Sequence, residues 1–403
     1  MIGILDHAPA EGVVSLASWL EECGKKGGLS LPSVRENWHV FLQQGSSDFE
    51  MPWRKGPRAM MRSRIAGMGH FLPEKIVKNS DLEEVLCIKD DAIVKRTGVR
   101  ERRYVIPGTS CADLAYHAAK MALARAGMEP RDLDLIILAT LSPDHFFPGS
   151  GCFLQAQLRI PGVPAIDIRN QCSGFIYGLS IADQYIRTET FRNVLVVGSE
   201  VHSTGLDFSP EASGISIIFG DGAGAAVLCP AADQPGILAC RIHADGRFAR
   251  DLMVEAPGTR HHVQIDHGMI DRKMHYPKMN GRAVFRSAVT NMTETVESIL
   301  RSEGLDKKDI ALFIFHQANL RIIEAAASRL GIEDSRLYNN IDRYGNTTAA
   351  AVPIALSEAL AEDRIHNNDL VMLVSFGSGY TWGGALLRWL DAGFCRQAAP
   401  QGV

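Results

Sequence analysis

The sequence lacks the cysteine patterns that build disulfide frameworks and zinc ribbons. Its eight cysteines include no CxxC pair and are spread over 403 residues, whereas small secreted domains carry theirs densely. We therefore predict reduced thiols and a cytoplasmic protein. No apolar run comes near the roughly 20 residues that a membrane-spanning helix needs. The first residues, MIGILDHAPAEG, lack a basic stretch followed by an apolar core, so we expect neither a membrane span nor a signal peptide.

A dominant charge of one sign is also missing. The formal net charge is −4 and charged residues make up 22% of the chain, a balance that favours neither nucleic acid nor a membrane surface as a partner. Histidines at 145, 261, 262 and 267 are the nearest approach to a metal-binding cluster. The segment that holds three of them has no helical spacing and no nearby cysteine, so we predict no metal site.

The length and the 46% apolar content allow a large core and favour two halves over one domain. We predict an N-terminal extension over residues 1–61, a first half over 62–232, a second half over 233–392 and a short tail over 393–403. The extension is rich in Gly, Ser, Pro and charge, which predicts poor order. An interaction tail, or a true start near Met60 or Met61, remains an alternative interpretation.

The second half repeats the pattern of the first. The passage AGMEPRDLDLIILAT (126–140) resembles EGLDKKDIALFIFHQ (303–317), and their glycines lie 304 − 127 = 177 residues apart. The apolar runs NVLVVGSE (193–200) and DLVMLVSFG (369–377) start 369 − 193 = 176 residues apart. These runs have the length and composition of buried strands, and helical periodicity lies between them. The pattern predicts a duplicated α/β unit.

Three reactive side chains lie where such a unit gathers its functional groups. Cys172 directly precedes the helical stretch 174–186, and Asn346 precedes the helical stretch 348–360, 346 − 172 = 174 residues later. His316 ends a predicted strand. A helix N-terminus favours a thiolate, so we predict a lowered thiol pKa and a nucleophilic Cys172. The imidazole and the amide can donate to negative charge that develops on a substrate.

Several motifs together carry a family resemblance. The segments QCSGF, FGDGAGAAVL, HQANLRI, YGNTTAAA and FGSGYTWGGAL, in this order, with RTGVRERR ahead of them, resemble β-ketoacyl-acyl-carrier-protein synthase III over about residues 64–390. The resemblance implies the duplicated, five-layered αβαβα fold of the thiolases and a homodimer. It also implies that Cys172, His316 and Asn346 form the catalytic triad, with an oxyanion hole made by the backbone N–H groups of Cys172 and Ser378.

The same resemblance implies a reaction. An acyl group is loaded on Cys172, malonyl-acyl-carrier protein loses CO₂, and a Claisen condensation gives a 3-oxoacyl product, in fatty-acid initiation or a secondary-metabolite pathway. No cofactor is expected beyond the thioester substrates. Two alternatives stay open: an acyltransferase of the same fold that moves an acyl group to another nucleophile without decarboxylation, and a non-catalytic partner subunit.

The resemblance finally implies substrate contacts. Positions that match substrate-binding residues of the family are Arg96, Thr97, Phe147, Gly281, Phe285, Ala318 and Asn319, and Phe147 matches a residue that reaches across the dimer. Positions that match carrier-protein contacts are Arg286, Arg321 and Arg329. Ala92 and Ser213 stand where the family clamps the adenine of coenzyme A between Trp and Arg, so stacking and cation–π attraction are lost. This favours an acyl-carrier-protein donor over acyl-coenzyme A, which stays open.

Overall fold

A computed structural model describes residues 61–231 and 236–391 of the chain. The predictions for residues 1–60 and for the tail at 393–403 lie outside the described residues. The strands are β1 (Arg62–Phe71), β2 (Lys75–Lys78), β3 (Glu101–Tyr104), β4 (Leu135–Ala139), β5 (Ala165–Ile168), β6 (Val194–Glu200), β7 (Gly222–Ala231), β8 (Ile237–Ala244), β9 (Leu252–Val254), β10 (Pro277–Met279), β11 (Leu312–Phe315), β12 (Leu370–Gly377) and β13 (Thr381–Arg388). The α-helices are α1 (Glu83–Leu86), α2 (Asp90–Thr97), α3 (Cys111–Ala126), α4 (Ser150–Leu158), α5 (Gly174–Arg187), α6 (Ser213–Ser216), α7 (His267–Asp271), α8 (Gly281–Glu303), α9 (Leu320–Leu330), α10 (Ile341–Tyr344) and α11 (Ala351–Ala361).

Helix α3 shows how local sequence sets an element's bounds. The Ser110 hydroxyl accepts a hydrogen bond from the Asp113 N–H, and the Asp113 carboxylate accepts one from the Ser110 N–H. This reciprocal cap begins α3. Gly127 ends it with φ +67°, a left-handed conformation that costs a glycine little.

The first of the two larger sheets has the strand order β1-β7-β6-β4-β5. Its central strands are apolar on both faces, as parallel strands between two helical layers must be. Leu135 and Ile137 of β4 face one core cluster, while Ile136 and Leu138 face another. This alternation explains why the sequence pattern there is a continuous apolar run.

The second sheet has the strand order β11-β12-β13-β8. Leu312 and Ile314 of β11 pack in the core cluster that contains Leu135 and Ile137 of β4. Phe313 and Phe315 face the other side of the second sheet and pack in a third cluster. Small pairs β2–β3 and β9–β10 lie outside these two sheets.

Three helical layers enclose the two sheets. Helices α5 and α11 share one core cluster with the facing sides of both sheets. Helices α3 and α4 cover the outer side of the first sheet, and α8 and α9 cover the outer side of the second. The order of layers is therefore α, β, α, β, α.

The strand pairings confirm the internal repeat. Strand β6 pairs parallel with β4 and antiparallel with β7. Strand β12 likewise pairs parallel with β11 and antiparallel with β13. The parallel strands β5 and β11 lead into the turns that carry Cys172 and His316, at the end of α/β sheets where ligands usually bind.

Within residues 61–231 and 236–391, no helix has the length and apolar character needed to cross a membrane.

Candidate active site

Cys172 lies in a 3₁₀ turn, Gln171–Ser173, between β5 and α5. The residue is 7% exposed. Its carbonyl oxygen accepts a hydrogen bond of 2.6 Å from the Ser375 hydroxyl on β12. A Cβ atom on Gly377 would lie 2.9 Å from Cys172 Cβ, so only glycine lets β12 approach the nucleophile this closely.

The protonation state of Cys172 differs from the sequence prediction. The pKa of the thiol is raised to about 12, first because burial removes water from the thiolate and second because of the negative charge of Glu200. The backbone N–H groups of Cys172 and Ser378 bind the sulfur and lower the pKa only in part. The prediction of a lowered pKa is therefore wrong: the loss of hydration outweighs the favourable N-terminus of the helix.

The same two N–H groups are the ones that the sequence named for the oxyanion hole. Both reach the sulfur of Cys172, so both lie beside the atom that would attack the carbonyl carbon of a thioester. The Ser378 hydroxyl is turned away from the sulfur and donates to the Leu252 carbonyl. Ser378 thus keeps its backbone donor available although it carries a side chain.

His316 follows β11 and is 2% exposed. Its backbone N–H donates to the Val374 carbonyl of β12 at 2.8 Å, and its carbonyl accepts from the Ala318 N–H at 2.9 Å. Neither ring nitrogen has a hydrogen-bond partner among the described residues. Burial lowers the pKa of the imidazole to about 3, so the ring is neutral. A buried, unpaired imidazole costs free energy unless a substrate atom completes it.

Asn346 is held by backbone and side chain alike. Its N–H donates to the Ile218 carbonyl at 2.8 Å, and its carbonyl accepts from the Gly220 N–H at 3.1 Å. Its amide oxygen accepts from the Thr348 N–H at 2.8 Å. This bond fixes which end of the amide is the acceptor and leaves the NH₂ end as the donor.

The elements that carry the three side chains meet at one place. Strand β12 binds the backbone of His316 through Val374 and contacts Cys172 through Ser375 and Gly377. The 3₁₀ turn Thr348–Ala350, just after Asn346, packs against the turn that holds Cys172. The structure therefore gathers the predicted triad in one buried site.

Sequence reasoning missed a buried carboxylate beside this site. Glu200 ends β6, and its carboxylate accepts hydrogen bonds from the Ser142 hydroxyl at 2.6 Å and the Leu141 N–H at 3.2 Å, with a longer contact to the Ala349 N–H at 3.5 Å. Burial raises its pKa to about 7. An acidic residue at the end of a wholly apolar strand was the available signal.

Gln317, next to His316, was also missed as a positioning residue. Its side-chain oxygen accepts from the N–H groups of Asn340 at 3.0 Å and Ile341 at 3.2 Å. These bonds hold the chain that leads into α10 and then Asn346. The Gln317 side chain therefore connects the turn that carries His316 to the segment that leads to Asn346.

Several predicted substrate residues cluster at the C-terminal end of α2. The Asn319 side chain donates to the Arg96 carbonyl at 3.1 Å, and the Arg321 guanidinium donates to the Lys95 carbonyl at 3.0 Å. Arg96 is exposed. Thr97 is buried, and its hydroxyl donates to the Ile93 carbonyl at 2.8 Å, so this hydroxyl serves the helix end and does not face solvent.

The other predicted substrate and carrier residues lie further out. Ala318 is half-buried directly after His316, whereas Gly281, Phe285 and Arg286 are exposed on the first turns of α8. Arg329 is exposed on α9 and contacts the Thr290 hydroxyl at 3.4 Å.

Phe147 lies apart from these residues, in the loop before α4. Its side chain is 81% exposed, and its ring meets that of Phe146 edge-on at 6.4 Å. Within one chain this ring makes no part of the wall around Cys172.

The two positions at which the adenine clamp was expected carry the small side chains of Ala92 and Ser213. Ala92 is half-buried against an apolar cluster that includes Leu206 and Ile217. Ser213 begins α6, and a cavity of about 280 Å³ beside that helix is lined by Asp207 and Lys273, whose charges pair at 2.9 Å. Neither Ala92 nor Ser213 supplies a ring or a cationic group, although Lys273 and Tyr276 line the cavity beside Ser213.

The histidines named in the sequence do not form a metal centre. Over residues 61–231 and 236–391, no group of three or more His, Cys, Asp or Glu side chains is arranged to hold a metal ion.

A thiol on a turn before a central helix, an unpaired buried imidazole and a fixed amide, set between two duplicated sheets, define a condensing enzyme of the thiolase fold. Residues 166–246 match the family model described as 3-oxoacyl-[acyl-carrier-protein (ACP)] synthase III, and residues 300–389 match its C-terminal counterpart. A β-ketoacyl-[acyl-carrier-protein] synthase III of Vibrio vulnificus is 43% identical over 329 residues, which cover 82% of this chain and 100% of that protein.

Solved structures agree with the sequence matches. The 3-oxoacyl-[acyl-carrier-protein] synthase III of Aquifex aeolicus superposes with a TM-score of 0.74 at 41% identity, covering 81% of this chain and 100% of that one. The priming β-ketosynthase of the R1128 polyketide pathway superposes with a TM-score of 0.75 at 29% identity, covering 84% and 99%. The chain belongs to the 3-oxoacyl-[acyl-carrier-protein] synthase III family, and the predicted fold class is confirmed.

Proposed function

We propose that this chain catalyses a decarboxylative Claisen condensation that joins an acyl group, carried on Cys172, to the two-carbon unit of a malonyl thioester. One observation carries the proposal: a buried neutral imidazole with no hydrogen-bond partner, in the same site as a nucleophile and an oriented amide donor. Such a site lacks only substrate atoms to complete it.

In the first step, the Cys172 sulfur attacks the carbonyl carbon of an acyl thioester. The N–H groups of Cys172 and Ser378 hold the developing oxyanion. The C–S bond of the donor then breaks, and the proton of the Cys172 thiol ends on the departing thiol. Because burial keeps the thiol protonated, the proton must leave during the attack and not before it.

In the second step, the malonyl thioester loses CO₂ and the electron pair of the broken bond forms an enolate. Neutral His316 and the NH₂ end of Asn346 donate hydrogen bonds to the enolate oxygen, and neither group has to ionise to do so. The enolate carbon attacks the acyl carbonyl on Cys172. The C–S bond breaks, a proton from solvent restores the thiol, and a 3-oxoacyl thioester leaves.

The carrier is proposed to be an acyl-carrier protein for both substrates. Arg286, Arg321 and Arg329 lie exposed on α8 and α9 and suit an acidic partner, since charge complementarity guides encounter. Ala92 and Ser213 themselves supply neither a ring nor a guanidinium that could stack on adenine. The relatives are named for acyl-carrier protein, which supports this choice over coenzyme A.

We further propose a homodimer in the cytoplasm, with Phe147 at the dimer contact. The support for the contact is the pair of adjacent exposed rings of Phe146 and Phe147, which are 57% and 81% exposed and which a partner chain would cover. One relative is a priming β-ketosynthase of a polyketide pathway, so a secondary-metabolite pathway stands beside fatty-acid initiation as the proposed setting.

Intact-mass spectrometry tests the proposal. The full chain is exposed to a panel of acyl-carrier-protein and acyl-coenzyme A donors and then to malonyl-carrier protein. We expect an acyl adduct that is lost in Cys172→Ala and retained in Cys152→Ala, an exposed cysteine on α4. A 3-oxoacyl product and CO₂ should follow.

The same experiment separates the alternatives. An adduct without CO₂ release would support acyl transfer to another nucleophile. The absence of both adduct and product in the wild-type chain, across the whole panel, would contradict an enzymatic role and favour a non-catalytic subunit.

A further inference from the structure

The proposed chemistry leaves one buried histidine of the site region without a role. His202 follows β6 and is 7% exposed. Its backbone N–H donates to the Asp221 carboxylate at 2.6 Å, which fixes the start of the loop. The side chain points away from solvent and into the second half of the molecule, where its partner is Thr348.

The contact with Thr348 leads directly to Asn346. The Nε2 atom of His202 is hydrogen-bonded to the Thr348 hydroxyl. The N–H of Thr348 donates to the Asn346 amide oxygen at 2.8 Å. Only one residue therefore separates the imidazole from the bond that orients the amide.

Thr348 needs such support because its backbone is unfavourable by itself. Its φ is +50°, in the left-handed region that β-branched residues rarely adopt. A residue holds this conformation only where its surroundings fix it. The hydrogen bond from His202 fixes the side chain of Thr348, and with it the direction of the Thr348 N–H.

The ring of His202 also supports Asn346 from a second side. It stacks on Phe219 with ring centroids 4.5 Å apart and an interplanar angle of 28°. Phe219 and Asn346 form a parallel β-bridge, flanked by the bonds of Asn346 to Ile218 and Gly220. The imidazole thus contacts both chain segments that hold Asn346.

We propose that His202 is a positioning residue for Asn346: it holds Thr348 and Phe219 so that the amide oxygen is fixed and the NH₂ end faces the enolate. This inference rests on the proposed function, in which Asn346 donates to the enolate. His202 belongs to the first half and Asn346 to the second, so the device couples the two halves at the decarboxylation step. Among the described residues the hydrogen-bond and ring partners of the His202 side chain are Thr348 and Phe219, so we expect acyl loading of Cys172 to be independent of it.

Separate measurement of the two half-reactions tests this role. His202→Leu should form the acyl adduct on Cys172 at close to the wild-type rate. The rate of CO₂ release from malonyl-carrier protein should fall on the order of tenfold or more, because a small misplacement of a catalytic group has an effect of this size. Thr348→Ala should give the same split. His202→Gln keeps a polar group, able to donate or accept, for the Thr348 hydroxyl and should restore most of the CO₂ release.

A matched control is available in His70. Its Nδ1 atom is hydrogen-bonded to the Ser357 hydroxyl at 2.9 Å, the same kind of contact in another part of the fold. His70→Leu should leave the ratio of the two half-reactions unchanged. Asn346→Ala sets the scale of the loss in CO₂ release.

The outcomes distinguish this inference from the proposed function. If wild-type protein performs both half-reactions and Asn346→Ala loses CO₂ release, but His202→Leu and Thr348→Ala do not, the positioning role is overturned and the function stands. Equal slowing of both half-reactions in all His202 variants would also overturn it, by showing a general packing role. Should His202→Leu fail to fold, Thr348→Ala decides the matter: loss of CO₂ release with normal acyl loading supports the positioning role, and wild-type rates of both half-reactions overturn it.

Discussion

The turn around Cys172 and the turn around Asn346 occupy matching places in the two halves, yet each is held by the sheet of the other half. Cys172 belongs to the first half and lies against Ser375 and Gly377 of β12. Asn346 belongs to the second half and is bound by Ile218 and Gly220, just ahead of β7. The site is therefore shared across the repeat, and neither half can form it alone.

The two turns are held by different kinds of contact. The Cys172 turn is held by the Ser375 hydroxyl, by the close approach of Gly377 and by a hydrogen bond of 2.7 Å from the Ser173 hydroxyl to the Thr381 hydroxyl, and its reactive group changes protonation during the reaction. The Asn346 turn is held by two backbone bonds, a threonine N–H and the imidazole of His202. An amide that never ionises can contribute only through its orientation, which the bond to its side-chain oxygen fixes.

The largest expected effect comes from breaking the support of the Asn346 turn at Gly198. A Cβ atom at this position of β6 would lie 2.2 Å from the Ala349 carbonyl oxygen, and a backbone atom cannot rotate away. Gly198→Ala should lower the free energy of unfolding by about 3 kcal/mol, the upper range for an overpacked core. Chemical denaturation with circular dichroism measures this loss.

Gly205→Ala is the control for that substitution, since a Cβ at Gly205 meets no heavy atom within 4 Å. It should unfold like the wild type. If Gly198→Ala were as stable as the wild type, strand β6 would not pack against the Asn346 turn as closely as described. The comparison of the two turns would then be wrong.

A smaller effect is expected from the matching substitution on the Cys172 side. A Cβ on Gly377 would lie 2.9 Å from Cys172 Cβ and 3.0 Å from its backbone nitrogen. Because part of this contact is with a side-chain atom, Gly377→Ala should cost about 2 kcal/mol of stability. The rate of acyl loading on Cys172, measured by intact-mass spectrometry, should fall more than the rate of CO₂ release.

Gly214→Ala on α6 provides the comparison, because its added Cβ meets nothing within 4 Å. Slower CO₂ release with unchanged acyl loading in Gly377→Ala would contradict the assignment of β12 to the nucleophile's side of the site.

Much of the fold and the three residues of the triad could be predicted from the sequence. Strand pairs that differ by a constant offset predicted the repeat, because buried parallel strands impose continuous apolar runs that are visible without a structure. His316 stands at the end of such a run, and Cys172 and Asn346 each stand just before a helical stretch. Their gathering in one site could therefore be predicted, although their chemical roles remain predictions.

The thiol pKa and the supports of the Asn346 turn could not be predicted. A helix N-terminus is visible in a sequence, but complete burial and the nearby Glu200 carboxylate are not, and these two causes decide the pKa. The bond from His202 to Thr348 joins residues 146 positions apart. Contacts of this kind arise from tertiary packing, which periodicity does not encode.

The smallest expected effect concerns Glu200, the one carboxylate described here that acts on both turns, since it raises the pKa of Cys172 and contacts the Ala349 N–H. Burial raises its pKa from 4.5 to about 7, so the folded chain holds this proton more tightly than the unfolded chain. The associated stability is fully present below pH 4.5 and is lost as the pH rises through about 7. Between about pH 5.5 and pH 7 the loss should be about 1.5 kcal/mol.

Glu200→Gln should remove this slope, because the amide does not titrate. The measurement is the free energy of unfolding of wild type and variant at several pH values, with Glu74→Gln, an exposed carboxyl on the surface, as control. As the pH rises, the free energy of unfolding of the wild type should fall relative to that of Glu200→Gln. The free energy of unfolding of Glu74→Gln should change in parallel with that of the wild type. Parallel curves for wild type and Glu200→Gln would mean that the carboxylate is ionised at its place between the two turns, and that its hydrogen bonds outweigh its burial.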